Sequence, residues 1–102
     1  MRHQRSARDF KSLKTHYETV RGTRMTSDAW LVFADHLMEE DHIRLGRLIK
    51  MYVYQLRRWF NSNRIRRLQK PISHMPFIKW ANKLTVDYLE IDKRLNNLFQ
   101  GH

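Results

Sequence analysis

The residues of this chain best suited to a chemical task are nine cations and a tyrosine between positions 44 and 70. They are Arg44, Arg47, Lys50, Tyr54, Arg57, Arg58, Arg64, Arg66, Arg67 and Lys70. Arginine and lysine neutralise backbone phosphates and release condensed counterions, and a tyrosine ring can stack on an unpaired base. These residue types therefore predict a surface that binds a polyanion, with nucleic acid as the leading candidate.

The charge distribution around these residues strengthens that prediction. Residues 42–86 contain eleven Lys and Arg residues and no Asp or Glu, although the chain has ten acids elsewhere and a net charge of +10. The segment therefore offers no acidic partners of its own for i,i+4 ion pairs. A merely solvated helix face and a surface that docks on an acidic protein are the alternative interpretations.

The segment from Ile43 to Phe60 separates into two faces when it is wound as a helix at about 100° per residue. The apolar arc contains Leu45, Leu48, Ile49, Tyr52, Val53, Leu56, Trp59 and Phe60. The opposite arc contains Arg44, Arg47, Lys50, Arg57 and Arg58, with Met51 and Tyr54 among them. We expect the first arc to pack in the core and the second to present positive charge around an aromatic ring.

Other chemistry has little basis in the sequence. The chain has no cysteine, no glycine-rich phosphate loop and no recognisable pairing of a nucleophile with a histidine. Glu39 and His42 have a spacing used by di-iron carboxylate bundles, but such sites need a second motif of this kind and further glutamates. We expect a protein that is not an enzyme and that uses neither a metal nor a cofactor.

Helical periodicity predicts an all-α fold, a compact bundle of about four helices with a long C-terminal helix. The expected helices span about residues 8–21, 27–41, 43–60 and 75–99. Gly22 is placed to end the first helix, Ser27 to cap the second and Asp41 to cap the third. Residues 1–7 are expected to form a mobile basic arm, and residues 8–102 a single helical domain.

The sequence also predicts where the third helix ends and how the last helix packs. The polar run 61–63 predicts a break after the third helix, because Asn and Ser side chains compete with the backbone for hydrogen bonds. Pro71 and Pro76 are expected to bracket a loop. Apolar residues at 4-3 spacing in the last helix predict a seam for the bundle or for a homodimer. The residues named for a homodimer are Phe77, Leu84, Tyr88, Ile91 and Leu95.

Membrane insertion and secretion are not indicated. No apolar run approaches the roughly 18 residues that a membrane-spanning helix needs. The first ten residues lack the apolar stretch of a secretory signal. We therefore expect an intracellular, cytoplasmic protein without a membrane span.

One stretch resembles a known module. Residues 31–40 read Leu-Val-Phe-Ala-Asp-His-Leu-Met-Glu-Glu, and residues 48–50 read Leu-Ile-Lys. This resembles the short repeat-companion domain found beside repeat proteins in some bacteria, although His36 replaces its Trp, Met38 replaces a Glu and its Gly-Asp-Pro turn is missing. The resemblance implies no activity, but it implies two antiparallel helices with an apolar interface. The interface residues would be Phe33, Leu37, Leu48 and Ile49.

Together these features predict a small non-catalytic basic protein that binds nucleic acid through phosphate-backbone contacts from an Arg-rich helix face. The alternatives are an adaptor or inhibitor that docks its basic face on an acidic partner protein, and a small structural subunit of a ribonucleoprotein. Reversing Arg47 and Arg57 to Glu is expected to weaken binding without unfolding the domain. The sequence leaves open whether the target is DNA or RNA, and whether it is single or double stranded.

Overall fold

The helices of this protein follow one another with short connections. The computed structural model describes the backbone of residues 7–68 and 75–100, and the side chains of residues 10–62 and 79–100. These ranges hold four helices, α1 (Ala7–Val20), α2 (Asp28–Glu39), α3 (Ile43–Leu68) and α4 (Met75–Gln100), and no strand. The prediction of an all-α bundle with a long C-terminal helix is therefore confirmed. The expected basic arm, residues 1–7, lies almost wholly outside the described residues.

The third helix is longer than expected, and the predicted break at residues 61–63 is wrong. α3 continues through these polar residues to Leu68. Asn and Ser cost a helix only about 0.5 kcal/mol each relative to Ala, and helix-forming Arg and Leu residues follow them. Neither Gly nor Pro occurs between Asn61 and Pro71. A polar run without a backbone constraint is therefore not a stop signal here.

The turn between α2 and α3 is built on Asp41, which has a φ of 72°. The N–H of His42 donates to the carbonyl of Leu37 (2.8 Å), and the N–H of Asp41 donates to that of Met38 (3.2 Å). This is the Schellman arrangement, in which a left-handed residue ends a helix, and Asp tolerates that conformation better than most residues. Asp41 therefore ends α2, whereas His42, whose carbonyl accepts the N–H of Gly46 (3.0 Å), occupies the position before α3.

The other two predicted boundary residues behave differently from each other. Ser27 stands at the position before α2 with an extended backbone, and its carbonyl accepts the N–H of Trp30, although its hydroxyl does not cap the helix. Gly22 follows α1, but its φ is not positive. That helix instead ends where the hydroxyl of Thr23 donates to the carbonyl of Val20 (2.8 Å). The end of α1 was predicted at the correct position, but the interaction that forms it was not predicted.

The core is formed by one side of each helix. Its centre is aromatic: the Phe33 ring lies between those of Tyr17 and Trp30, and Tyr17 stacks on Phe99 with ring centroids 4.8 Å apart. Most of the apolar arc predicted for α3 is buried or packed against this core. Phe60 is the exception, with 52% of its surface exposed. It lies beyond Arg57, which pairs with the first residue of α2, so α2 does not extend far enough to cover it.

α2 and α3 run in opposite directions and pack closely. Asp28 pairs with Arg57 and Asp35 with Lys50, so residue numbers rise along one helix as they fall along the other. A Cβ atom built on Gly46 would overlap Cγ of Met38 and lie 2.6 Å from the carbonyl oxygen of Ala34. A glycine at this position therefore allows the two backbones to approach. This is the antiparallel pairing that the repeat-companion resemblance implies.

The apolar seam of α4 is used within the chain. Leu84, Ile91 and Leu95 are buried in the core, and Tyr88 is 45% exposed beside Tyr52. Phe77 lies outside the residues whose side chains are described. Three of the five residues named for a homodimer are thus covered by the protein's own helices, and a homodimer stays a prediction. None of the described helices combines the length and the apolar character that crossing a membrane requires.

Candidate nucleic-acid interface

The polar side of α3 contains a narrow line of exposed side chains. Its members follow one another at alternating steps of three and four residues, so they fall within an arc of about 80°. We call this line the α3 stripe, and it consists of Arg44, Arg47, Met51, Tyr54 and Arg58. All five are exposed, Met51 at 56% and Tyr54 at 50%. The structure therefore brings five of the residues from the predicted cationic arc into one continuous surface.

The three arginines of the stripe are available for a ligand. Arg44, Arg47 and Arg58 make no hydrogen bond or ion pair with any residue in the described part of the chain. Each guanidinium presents five N–H donors in a fork that matches phosphate oxygens. Binding a phosphate here therefore breaks no contact within the described part of the chain.

Lys50 and Arg57 have a different role, although the sequence placed them on the same face. Lys50 donates to a carboxylate oxygen of Asp35 (2.9 Å), and this hydrogen bond raises the pKa of the lysine. Arg57 donates from Nη2 to Asp28 (2.8 Å) and from Nε to the carbonyl of Thr26 (2.6 Å). Both residues thus connect α3 to α2 or to the loop before it. Their positive charge is balanced locally by a carboxylate.

Arg57 also orients the one aromatic ring of the stripe. Its guanidinium carbon lies 5.9 Å from the centroid of the Tyr54 ring, within the range of a cation–π contact. Since Thr26 and Asp28 hold the guanidinium in place, the ring has a fixed neighbour on one side. Half of the surface of Tyr54 is exposed to solvent. The stripe therefore has a partly ordered aromatic surface between Arg47 and Arg58.

Four predicted site residues lie outside what the structure describes in full. The backbone of residues 64–68 continues α3, so Arg64, Arg66 and Arg67 belong to the same helix as the stripe. Their side chains are outside the described residues, as is Lys70 altogether. Their contribution to the site stays a prediction.

The two acidic partners on α2 were missed by sequence reasoning, although a signal for them exists. Asp28 and Asp35 are seven residues apart, and so are Lys50 and Arg57. Seven residues make about two helical turns, so two antiparallel helices with these spacings can pair both times. Aligning the two helices in opposite directions before assigning the cations would have identified both ion pairs.

Metal ligands do not gather near this surface. Within the described residues, no three His, Cys, Asp or Glu side chains come close enough together to hold a metal ion. The spacing of Glu39 and His42 is therefore not supplemented by further ligands in that part of the chain.

Comparison with known proteins identifies no relative of this chain. No family model, no curated protein and no solved structure matches this chain. The resemblance of residues 31–50 to the repeat-companion domain therefore stays a prediction.

Proposed function

We propose that this protein binds nucleic acid without catalysis, through contacts between phosphates and the arginines of the α3 stripe. The observation that supports this most directly is that Arg44, Arg47 and Arg58 are exposed and have no partner among the described residues. The chain carries a net charge of +10, which favours association with phosphate polymers. Arg64, Arg66 and Arg67 extend the proposal along the same helix, and Lys70 follows them in the sequence.

The contrast with the paired cations explains why the stripe is the proposed contact. A phosphate that binds Lys50 or Arg57 competes with Asp35 or Asp28 and gains little, because the carboxylate it displaces must be solvated again. A phosphate that binds Arg47 or Arg58 displaces only water and counterions. The net gain from counterion release is therefore greatest along the stripe.

The dependence of affinity on salt concentration tests this proposal. Each phosphate contact contributes a slope of about −0.7 to −0.9 to a plot of log affinity against log salt concentration, so three arginines predict a slope of at least about −2. A steeper slope is expected where the stretch 64–70 also contributes. Fluorescence anisotropy with a labelled oligonucleotide, repeated in KCl from about 50 to about 300 mM, measures this slope. A slope close to zero would exclude phosphate contacts as the basis of binding.

A protein partner is the second candidate, and exposed apolar residues on α4 favour it. Val86 and Leu89 are both exposed, as is Tyr88. Such side chains are common on protein-binding surfaces when they cluster. Purification from the native source distinguishes the two functions: bound nucleic acid raises the ratio of absorbance at 260 and 280 nm, whereas an adaptor retains a stoichiometric protein.

A further inference from the structure

Among the residues whose side chains are described, the α3 stripe is a single line of cations rather than a broad basic surface. It extends over about 21 Å from Arg44 to Arg58, at 1.5 Å of rise per residue. On its α2 side lie the two ion pairs of Lys50 and Arg57, whose carboxylate partners Asp35 and Asp28 are 58% and 89% exposed. The border on that side is therefore electrically neutral and presents carboxylates to solvent.

The border on the α4 side is also close to neutral. Met51 and Gln55 share a small cleft of about 100 Å³ with Lys83 and Asp87. Lys83 donates to Asp87 (2.9 Å), so this lysine also has its charge balanced. The three available arginines thus have compensated ion pairs on either side.

This arrangement disfavours a DNA or RNA duplex. A helix in the major groove of DNA, which is about 12 Å wide, has a phosphate backbone on each side, so proteins that use it need donors on both borders. Here a second backbone would meet Asp28 and Asp35 on one side or Asp87 on the other. One line of arginines between neutral borders matches one phosphate backbone.

The aromatic ring of Tyr54, in the middle of the α3 stripe, also favours a single strand. Tyr54 is half exposed and is contacted by the fixed guanidinium of Arg57. Met51, one turn earlier, adds an exposed apolar side chain. Bases in a duplex are stacked on one another and cannot reach such a ring, whereas the bases of a single strand can.

We propose that the α3 stripe binds single-stranded nucleic acid, with the phosphate backbone following Arg44, Arg47 and Arg58 and one base stacking on Tyr54. This inference rests on the proposed function and specifies its ligand. Binding a ring that is already oriented loses less side-chain entropy than ordering a mobile one. The stacking contact should therefore contribute measurably to affinity.

The test compares three labelled ligands of the same length by fluorescence anisotropy at constant salt. They are oligothymidylate, oligouridylate and a mixed-sequence DNA duplex, each of about 20 nucleotides or base pairs, which exceeds common single-strand site sizes. Wild-type protein should bind at least one single strand roughly 10-fold or more tightly than the duplex, because only the single strand can stack on Tyr54. The ratio between the two single strands shows whether the thymine-containing DNA strand or the uracil-containing RNA strand is preferred.

Two variants at position 54 isolate the stacking contact. Tyr54→Leu should lower single-strand affinity roughly 10-fold while leaving duplex affinity unchanged, and Tyr54→Phe, which keeps the ring, should bind like wild type. The side chain of Tyr54 is half exposed, so circular dichroism should show folded protein for each variant. Equal or tighter binding of the duplex would overturn the inference, and so would an unchanged single-strand affinity for Tyr54→Leu.

The outcomes separate this inference from the proposed function. A protein that binds all three ligands with steep salt dependence but prefers the duplex retains the proposed function and loses the single-strand inference. A protein that binds none of them at low salt loses both.

Discussion

α3 and α4 have the same length, 26 residues each, but they arrange their charges in opposite ways. α4 pairs its charges within itself: Lys83 donates to Asp87 (2.9 Å), and Arg94 donates to Glu90 (2.6 Å), both at i,i+4 spacing. α3 contains no acid, so its cations must pair with another helix or face solvent. The comparison shows that a helix without acids has available cations only where no neighbouring helix supplies carboxylates.

The position of each cation around α3 decides which of these occurs. Lys50 and Arg57 lie on the edge next to α2, where Asp35 and Asp28 reach them. Arg47 and Arg58 lie farther around the helix, beyond the reach of those carboxylates. A difference in direction therefore separates residues that hold the fold together from residues that can bind a ligand.

Charge reversal on α3 should have the largest effect on binding. Arg47→Glu combined with Arg58→Glu should reduce affinity for nucleic acid on the order of 100-fold, because two phosphate contacts become two repulsions. This pair replaces the earlier choice of Arg47 and Arg57, since Arg57 also contacts Thr26 and Asp28 and its loss would affect folding. Anisotropy titration at about 0.1 M salt gives the affinities.

The matched control carries the same charge change away from α3. Lys11 on α1 and Lys93 on α4 are both exposed, and replacing both with Glu lowers the net charge by the same four units. At about 0.1 M salt, charges more than about 10 Å from the bound strand are largely screened, so we expect less than about a 5-fold loss. Equal losses for the two double variants would mean that net charge, rather than the stripe, determines binding.

The next largest effect is expected at the close contact between α3 and α2. Gly46→Ala should lower the free energy of unfolding by about 2 kcal/mol, because its Cβ would collide with the Ala34 carbonyl and the Met38 side chain, and the higher helix propensity of Ala offsets only part of that strain. Urea denaturation followed by circular dichroism measures the change. Gly22→Ala is the control: it meets no atom within 4 Å and should leave stability unchanged or slightly higher. A neutral Gly46→Ala would show that α2 and α3 are not in close contact.

Sequence patterns predicted those features that depend on local periodicity. The apolar positions of α1 and α2 and the bounds of α4 follow from helical spacing, and most of the α3 apolar arc is in the core as expected. The break predicted at residues 61–63 was wrong because propensities of a few tenths of a kcal/mol do not end a helix where no Gly or Pro follows before Pro71. Phe60 was placed in the core because periodicity records the direction of a residue and not where the covering helix begins.

The candidate site was predictable only in part, for a related reason. Winding α3 as an isolated helix correctly gave its polar side, but it could not distinguish Arg58 from Arg57, which are adjacent in sequence. That distinction requires the position of Asp28 on α2, and hence the direction and register of the helix pair. Contacts between distant parts of the chain therefore decide which of the predicted cations are available.

Neutralising one ion pair on each long helix gives the smallest expected effect and the sharpest comparison between them. Arg57→Gln should lower the free energy of unfolding by about 1 kcal/mol, because it removes a hydrogen bond to the Thr26 carbonyl that joins two parts of the fold. Arg94→Gln should leave it nearly unchanged at neutral pH, since an exposed pair within one helix contributes little. Urea denaturation of both variants under the same conditions measures these changes, and equal effects would show that connecting two helices gives Arg57 no advantage.

Acid provides an independent readout for the α4 pair. The hydrogen bond from Arg94 holds the pKa of Glu90 below its ordinary value of 4.5, so the stabilisation it gives is fully present above pH 4.5 and is lost as the pH falls through the lowered value. An NMR titration of the Glu90 side chain should therefore show a pKa below 4.5 in the wild type that rises in Arg94→Gln and is unaffected by Arg57→Gln. If the Arg57 variant moved it as well, the ion pairs of the two helices would be coupled, and the separation between a helix that pairs internally and one that pairs across would not hold.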